Sequence, residues 1–135
     1  MNKLTKLPDA ELEVMRAVWS EEDAISTTDI RKVLEEEKPY SVGALQTLLM
    51  RLEKRGFLKS FMQGKSKFFK SKVSEDEYLA FISKSFLSKI SRNSVTRLVA
   101  ALYDSNAISE EDLDELDEFI ELNNLPSEMD EDIKN

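Results

Sequence analysis

Apolar residues recur at helical spacing through most of the chain, and between Phe57 and Val73 they break into two short aromatic runs. Leu12, Met15, Val18 and Trp19 make one apolar face directly after Leu7-Pro8-Asp9, with Asp9 as the predicted N-cap. Glu21-Glu22-Asp23 ends this helix, and Ala24-Ile25-Ser26 reads as a short extended piece, long enough for one bridge of a small sheet. Thr27 or Thr28 can cap the next helix, whose apolar face is Ile30, Val33 and Leu34. Lys38-Pro39-Tyr40 breaks it, because the residue before proline is biased away from helix. Ser41 is then a fresh N-cap, and Leu45, Leu48, Leu49 and Leu52 recur at i, i+3, i+4 and i+7 facing the core. Lys54-Arg55-Gly56 fits basic residues in a last turn followed by a C′ glycine.

Phe57 to Met62 and Ser66 to Val73 read as a β-hairpin turning at Gln63-Gly64-Lys65, with Phe57, Phe61, Phe68, Phe69 and Val73 as its apolar surface. Helix, turn, helix and hairpin together make an α+β module of about 70 residues, a reasonable size for one domain. This arrangement predicts a winged helix-turn-helix, which usually binds DNA.

The remainder is helical in pattern. Ser74 caps a stretch whose apolar residues are Tyr78, Leu79, Phe81, Ile82, Phe86, Leu87 and Ile90. Val95, Leu98, Val99, Leu102 and Tyr103 follow a break at Ser91-Arg92-Asn93-Ser94. Ser109-Glu110-Glu111-Asp112 has the form of a capping box before Leu113, Leu116, Phe119 and Ile120. These stripes are too apolar to stand alone. They predict a dimerisation arm over residues 74–122, in which Tyr78, Phe81, Ile82, Phe86, Ile90, Leu98, Val99, Leu102, Leu113, Leu116, Phe119 and Ile120 pack against a second copy. Residues 1–73 would be the DNA-binding domain and residues 123–135 a frayed acidic tail. The expected fold class is mainly α with a small β-hairpin.

Composition narrows the chemistry. The chain has neither cysteine nor histidine, which removes disulfides, the usual zinc ligands, a cysteine nucleophile and Ser-His-Asp catalysis. No Gly-rich phosphate loop is present, so neither enzyme, cofactor nor metal is expected. No apolar run reaches the ~18–20 residues that span a membrane, and Met1–Leu7 has no signal-peptide pattern, so a cytosolic protein is expected. The net charge of −8 is unevenly spread: residues 1–73 hold 14 Lys+Arg against 11 Asp+Glu, a net of +3, and residues 74–135 hold 5 against 16, a net of −11. Residues 40–73 hold eight basic residues against the single acid Glu53. The acidic total therefore does not oppose nucleic-acid binding, which responds to the local field.

With the leucines inward, the third helix presents Gly43, Gln46, Thr47 and Met50, flanked by Arg51. Gln46 can make a bidentate bond to adenine, and Thr47 can touch a thymine methyl or a phosphate. Ser41 and Thr28 stand at helix starts, where hydroxyls and free N–H groups suit phosphate. Arg51 and Lys54 can reach phosphates from the helix, and Lys65 and Lys67 from the wing. For each, a plainer role stands beside this one: Gln46 and Thr47 as solvated surface, Ser41 and Thr28 as caps, and the wing lysines as solubilising charge. Arg51 can equally pair with Glu53 or a first-helix acid.

The order and spacing of several motifs resemble the penicillinase-repressor (BlaI/MecI) family. They are Asp9-Ala10-Glu11-Leu12-Glu13-Val14-Met15 with Trp19, Tyr40-Ser41, Thr47 to Leu58, Gly64-Lys65-Ser66, Val73 to Tyr78, and Ser109 to Leu113. The resemblance covers roughly Leu7 to Leu122. It implies a homodimeric winged-helix repressor on a palindromic double-stranded operator, in a regulon of the β-lactam-resistance or cell-envelope-stress type. It also implies a membrane sensor metalloprotease that relieves repression by cutting the dimerisation arm. Three positions depart from the family pattern. The usual Ser-Pro-Lys-Thr start of the recognition helix is Ser41-Val42-Gly43-Ala44, and Gln46 stands where a basic residue is common. The Asn-Phe cleavage pair aligns with Ala101-Leu102. The copper-responsive branch's cysteines are absent. A second reading follows from the first departure: a winged-helix protein-interaction module with weak or no DNA binding.

Overall fold

The computed structural model describes residues 4–124. Among them the elements run α1 (Asp9–Trp19), β1 (Ile25–Ser26), α2 (Thr27–Glu35), α3 (Val42–Lys54), β2 (Leu58–Gln63), β3 (Ser66–Ser71), α4 (Glu75–Lys89), α5 (Val95–Asp104) and α6 (Glu110–Asn124). The fold is mostly helical with one small antiparallel sheet of order β1-β3-β2. The chain divides into two compact units, residues 1–85 and 86–135.

The first unit is a winged helix. α1 starts one residue earlier than its sequence suggests: Pro8 is the N-cap, and Asp9 lies in the first turn with Glu11, where the helix dipole favours negative charge. β1 runs directly into α2, so the cap falls on Ser26 rather than Thr27 or Thr28; the Ser26 hydroxyl accepts the Asp29 N–H at 3.1 Å. α2 buries Ile30 and Leu34, but Val33 is 40% exposed and stands outside the core. α3 is capped by Ser41, which accepts the Ala44 N–H at 3.1 Å. It ends in a Schellman motif, with Phe57 N–H donating to Leu52 O and Gly56 N–H to Glu53 O, and Gly56 supplies the required φ of 85°.

The sheet turns the next segment back. β2 and β3 pair from Leu58↔Ser71 to Gln63↔Ser66, leaving Gly64-Lys65 as a two-residue turn. Gly64 has φ +65°, and glycine first in a two-residue hairpin loop suits a type II′ turn. β1 adds through Ile25↔Phe69 and Ser26↔Phe68. The core gathers Met15, Val18, Ile25, Ile30, Leu45, Leu49, Leu52, Phe57 and Phe69, all buried. Each such side chain contributes roughly 1.5–3 kcal/mol on leaving water.

Tyr78 belongs to this core and is unavailable to a dimer face. It is 6% exposed, its hydroxyl accepts the Leu7 N–H at 2.8 Å, and its ring lies 5.7 Å from Phe57 and 5.8 Å from Trp19. Phe81 and Ile82 pack partly on the same cluster, which carries the first unit to Ser85 rather than Val73. The sequence pattern alone could not separate a stripe that completes its own domain from one that awaits a partner.

In the second unit the helices are bounded by local hydrogen bonds. Ser94 caps α5 through Arg97 N–H, and Ser109 and Asp112 exchange reciprocal bonds at the start of α6. α5 closes on Asn106 at φ 63°, with Ala107 N–H donating to Leu102 O. No side chain of α5 or α6 is buried. Phe86, Ile90, Val95, Tyr103, Leu116, Phe119 and Ile120 are exposed by 37% to 65%. α6 runs through Asn123 to Asn124. The rest of the predicted acidic tail, residues 125–135, lies outside the described residues.

Candidate nucleic-acid interface

Helix α3 is amphipathic because its leucines fall on one face, so their burial fixes which residues point outward. Gly43, Gln46, Thr47 and Met50 are all exposed, Met50 by 66%. With Thr27, Leu49, Glu53, Lys67 and Phe69 they line a groove of about 480 Å³ between α3 and the sheet. The structure thus brings together five residues predicted to bind: Gly43, Gln46, Thr47, Met50 and Lys67. Ser41, Thr28, Arg51, Lys54 and Lys65 are exposed outside that groove: Ser41 and Thr28 at helix starts, Arg51 and Lys54 on the later turns of α3, and Lys65 at the wing tip.

Hydrogen bonding sharpens individual roles. Thr47 Oγ1 donates to Gly43 O at 3.0 Å, so its hydroxyl proton is already committed within the helix. What remains for a ligand is its methyl group and an acceptor lone pair. A Cβ added at Gly43 would meet nothing within 4 Å. The start of α3 is anchored by Tyr40, whose hydroxyl donates to Glu13 Oε2 at 2.6 Å and whose carbonyl accepts from Arg31 Nε at 3.3 Å. Burial first, then the bond and charge of Glu13, push the Tyr40 phenol up to about 12.

The basic residues are not all free. Arg55 Nε donates to Glu11 Oε1 at 2.9 Å, and Glu11 is buried, so this cation ties the end of α3 to α1. It is Arg55, not Arg51, that takes the first-helix acid. Glu53 in turn faces Lys67, 3.7 Å away, and Lys67 Nζ also lies 5.5 Å from the Phe69 ring centre. Thr27, Glu53 and Phe69 also line the groove, beyond the residues that the sequence pattern marks out. Glu53 had a visible signal: Gly43, Gln46, Met50 and Glu53 share one helical stripe. On the outer side of the hairpin, Phe61 stacks on Phe68 at 6.0 Å, and Lys59 stands opposite Lys70. Like charges directly opposite each other repel and favour an anion between them.

The model of the penicillinase repressor family matches residues 7–122. The chain belongs to the penicillinase repressor family. The penicillinase repressor of Bacillus licheniformis is 30% identical over 121 residues, which cover 90% of this chain and 94% of that one. The methicillin resistance regulatory protein MecI of Staphylococcus aureus (strain N315) is 29% identical over 115 residues, 85% of this chain and 93% of that one. Among solved structures, the DNA binding domain of the repressor BlaI aligns with a TM-score of 0.51 and 33% identity, covering 58% of this chain and 94% of that domain. This penicillinase repressor family member is therefore a DNA-binding repressor with a winged helix, in a family of transcriptional regulators and not of enzymes. No helix among the described residues is long and apolar enough to cross a membrane.

Proposed function

We propose that the chain acts in the cytoplasm as a homodimeric, sequence-specific repressor on a palindromic duplex operator. The observation that carries this reading is the groove beside α3, where Gln46, Thr47 and Met50 stand exposed on a rigid helix. Gln46 makes the bidentate adenine bond, and the Thr47 and Met50 methyls meet thymine methyls. Ser41 and Thr28, with the N–H groups of their helix starts, and Arg51, Lys54, Lys65 and Lys67 meet the phosphates. Thr47 is assigned to the methyl rather than to phosphate because its proton is committed to Gly43 O.

The dimer reading is supported by the uncovered apolar side chains of the second unit. Phe81, Ile82, Phe86, Ile90, Leu98, Val99, Leu102, Leu113, Leu116, Phe119 and Ile120 remain its proposed face. A regulon of the β-lactam-resistance or cell-envelope type is supported by what the relatives are named for. A membrane sensor metalloprotease remains the proposed inducer. The Ala101-Leu102 bond lies inside α5, so a cut there requires that helix to unwind first.

Footprinting on the promoter of its own gene should protect two half-sites one helical turn, or a multiple of it, apart. Gln46→Ala should lower operator affinity by about 1–3 kcal/mol and relax preference at one base pair. A Gln46→Ala dimer that keeps the wild-type operator preference would show that base assignment to be wrong. A second reading, a protein-interaction module, is favoured by Glu53 in the groove and by the uncharged Val42-Gly43-Ala44 start. Weak, sequence-independent DNA binding beside a tight protein complex would select it.

A further inference from the structure

Glu53 is the single acid in residues 40–73, and it sits in the groove proposed to receive DNA. It shares that groove with Gln46, Thr47 and Met50. Its carboxylate lies 3.7 Å from Lys67 Nζ, with side-chain exposures of 34% for Glu53 and 52% for Lys67. The Lys67 ammonium is drawn across the groove towards α3 and also lies over the Phe69 ring. A cation so held reaches a phosphate only by leaving Glu53, so the pair's modest attraction is subtracted from that contact. A carboxylate in the same place repels any sugar-phosphate backbone that approaches it. It can, however, accept a bond from the amino group of a cytosine edge.

We infer that Glu53 is a specificity-determining residue. It suppresses sequence-independent duplex binding by retaining Lys67 and by placing a negative charge among the base-reading side chains. A pair this exposed exchanges readily. Duplex of the right sequence can offer the carboxylate a base amino group and take Lys67 onto a phosphate; random duplex offers only the phosphate. The inference rests on the DNA-binding reading above.

The test uses the full chain with two probes: duplex selected by the wild-type protein from a random library, and unselected random duplex. Affinities are measured across about 50–200 mM salt, the range over which counterion release is steep. Glu53→Gln should steepen the log–log salt slope on random duplex by about 0.9 and tighten that binding about fivefold near 0.15 M salt, the effect of one added phosphate contact. The selected duplex should gain less, so the ratio of selected to random affinity falls. Adding Lys67→Ala to Glu53→Gln should return the slope to the wild-type value. Glu53→Ala should behave as Glu53→Gln does, and thermal melting confirms that each variant is folded. An unchanged slope and an unchanged affinity ratio, in variants of a wild type that binds duplex in a salt-dependent way, overturn the role of Glu53 alone. A wild type with no salt-dependent binding to either probe overturns the DNA-binding reading and this inference with it.

Discussion

Both units are written in helices with apolar stripes, yet only the first covers its stripes. Every buried hydrophobic side chain among the described residues lies between Leu7 and Tyr78. In the first unit three helices, a three-stranded sheet and the start of α4 enclose one core. The second has α5, α6 and the end of α4, and Phe119 there is 62% exposed. A helix buries its apolar stripe only against another layer, and too few layers leave it open. Similar hydrophobic patterning thus yields a self-covered core in one unit and an uncovered apolar face in the other. The number of elements available to cover it decides which.

The largest effect should separate the units directly. Tyr78→Ala removes a ring packed on Trp19 and Phe57, and should destabilise the first unit by about 3–5 kcal/mol in denaturant unfolding. Phe119→Ala should leave that transition unmoved and raise the dissociation constant of the proposed dimer by about tenfold or more in sedimentation at several concentrations. If both variants shift the same unfolding transition equally, the contrast between core and proposed assembly surface fails.

Next comes the ion pair that fixes α3 to α1. Arg55→Ala leaves the buried Glu11 carboxylate without its partner and should cost about 2–3 kcal/mol, less than a fully buried pair because Arg55 is 37% exposed. Unfolding free energy within a few tenths of wild type would mean water satisfies Glu11. A smaller effect marks the second unit: Asn106→Ala puts an alanine at φ 63° and should destabilise α5 by about 1 kcal/mol, seen as faster amide exchange near Leu102. Gly43→Ala should instead stabilise the first unit by about 0.5–1 kcal/mol, since the space is open and alanine favours helix.

The smallest expected effect is on pH dependence. The Tyr40 phenol is raised from 10.0 to about 12 in the folded chain, so below pH 10 its contribution is fully present. Between pH 10 and 12 the unfolded chain ionises first, and stability falls as pH rises. The stability difference between wild type and Tyr40→Phe should shrink over that interval. Parallel curves for the two proteins would show that the bond to Glu13 contributes nothing.

Local signals in the sequence were the easiest to read. Ser41, Gly56, Gly64 and the Ser109–Asp112 box each act through backbone geometry or a bond within a few residues, and each stands where spacing placed it. The outward face of α3 was legible for the same reason, since four leucines at one period leave only one alternative face. Capping is ambiguous where several hydroxyl residues adjoin: β1 extends to Ser26, which takes the cap and leaves Thr27 and Thr28 inside the helix. Val33 shares the apolar face by period, but α2 buries only the narrower line of Ile30 and Leu34. The sequence offers Lys67 as a phosphate ligand or as solubilising charge but does not show its pairing with Glu53, which is on another element, 14 positions away.

The helices, the hairpin, the basic segment and the family pattern are all legible along the chain, because periodicity, caps and turn residues act over one or two turns. Which residues meet across the core is set by packing. It put Glu11 under Arg55, Glu53 against Lys67, and Tyr78 inside the first unit and not on an assembly face. Those outcomes depend on which elements pack together, and burial assigns partners through space that spacing along the chain does not encode.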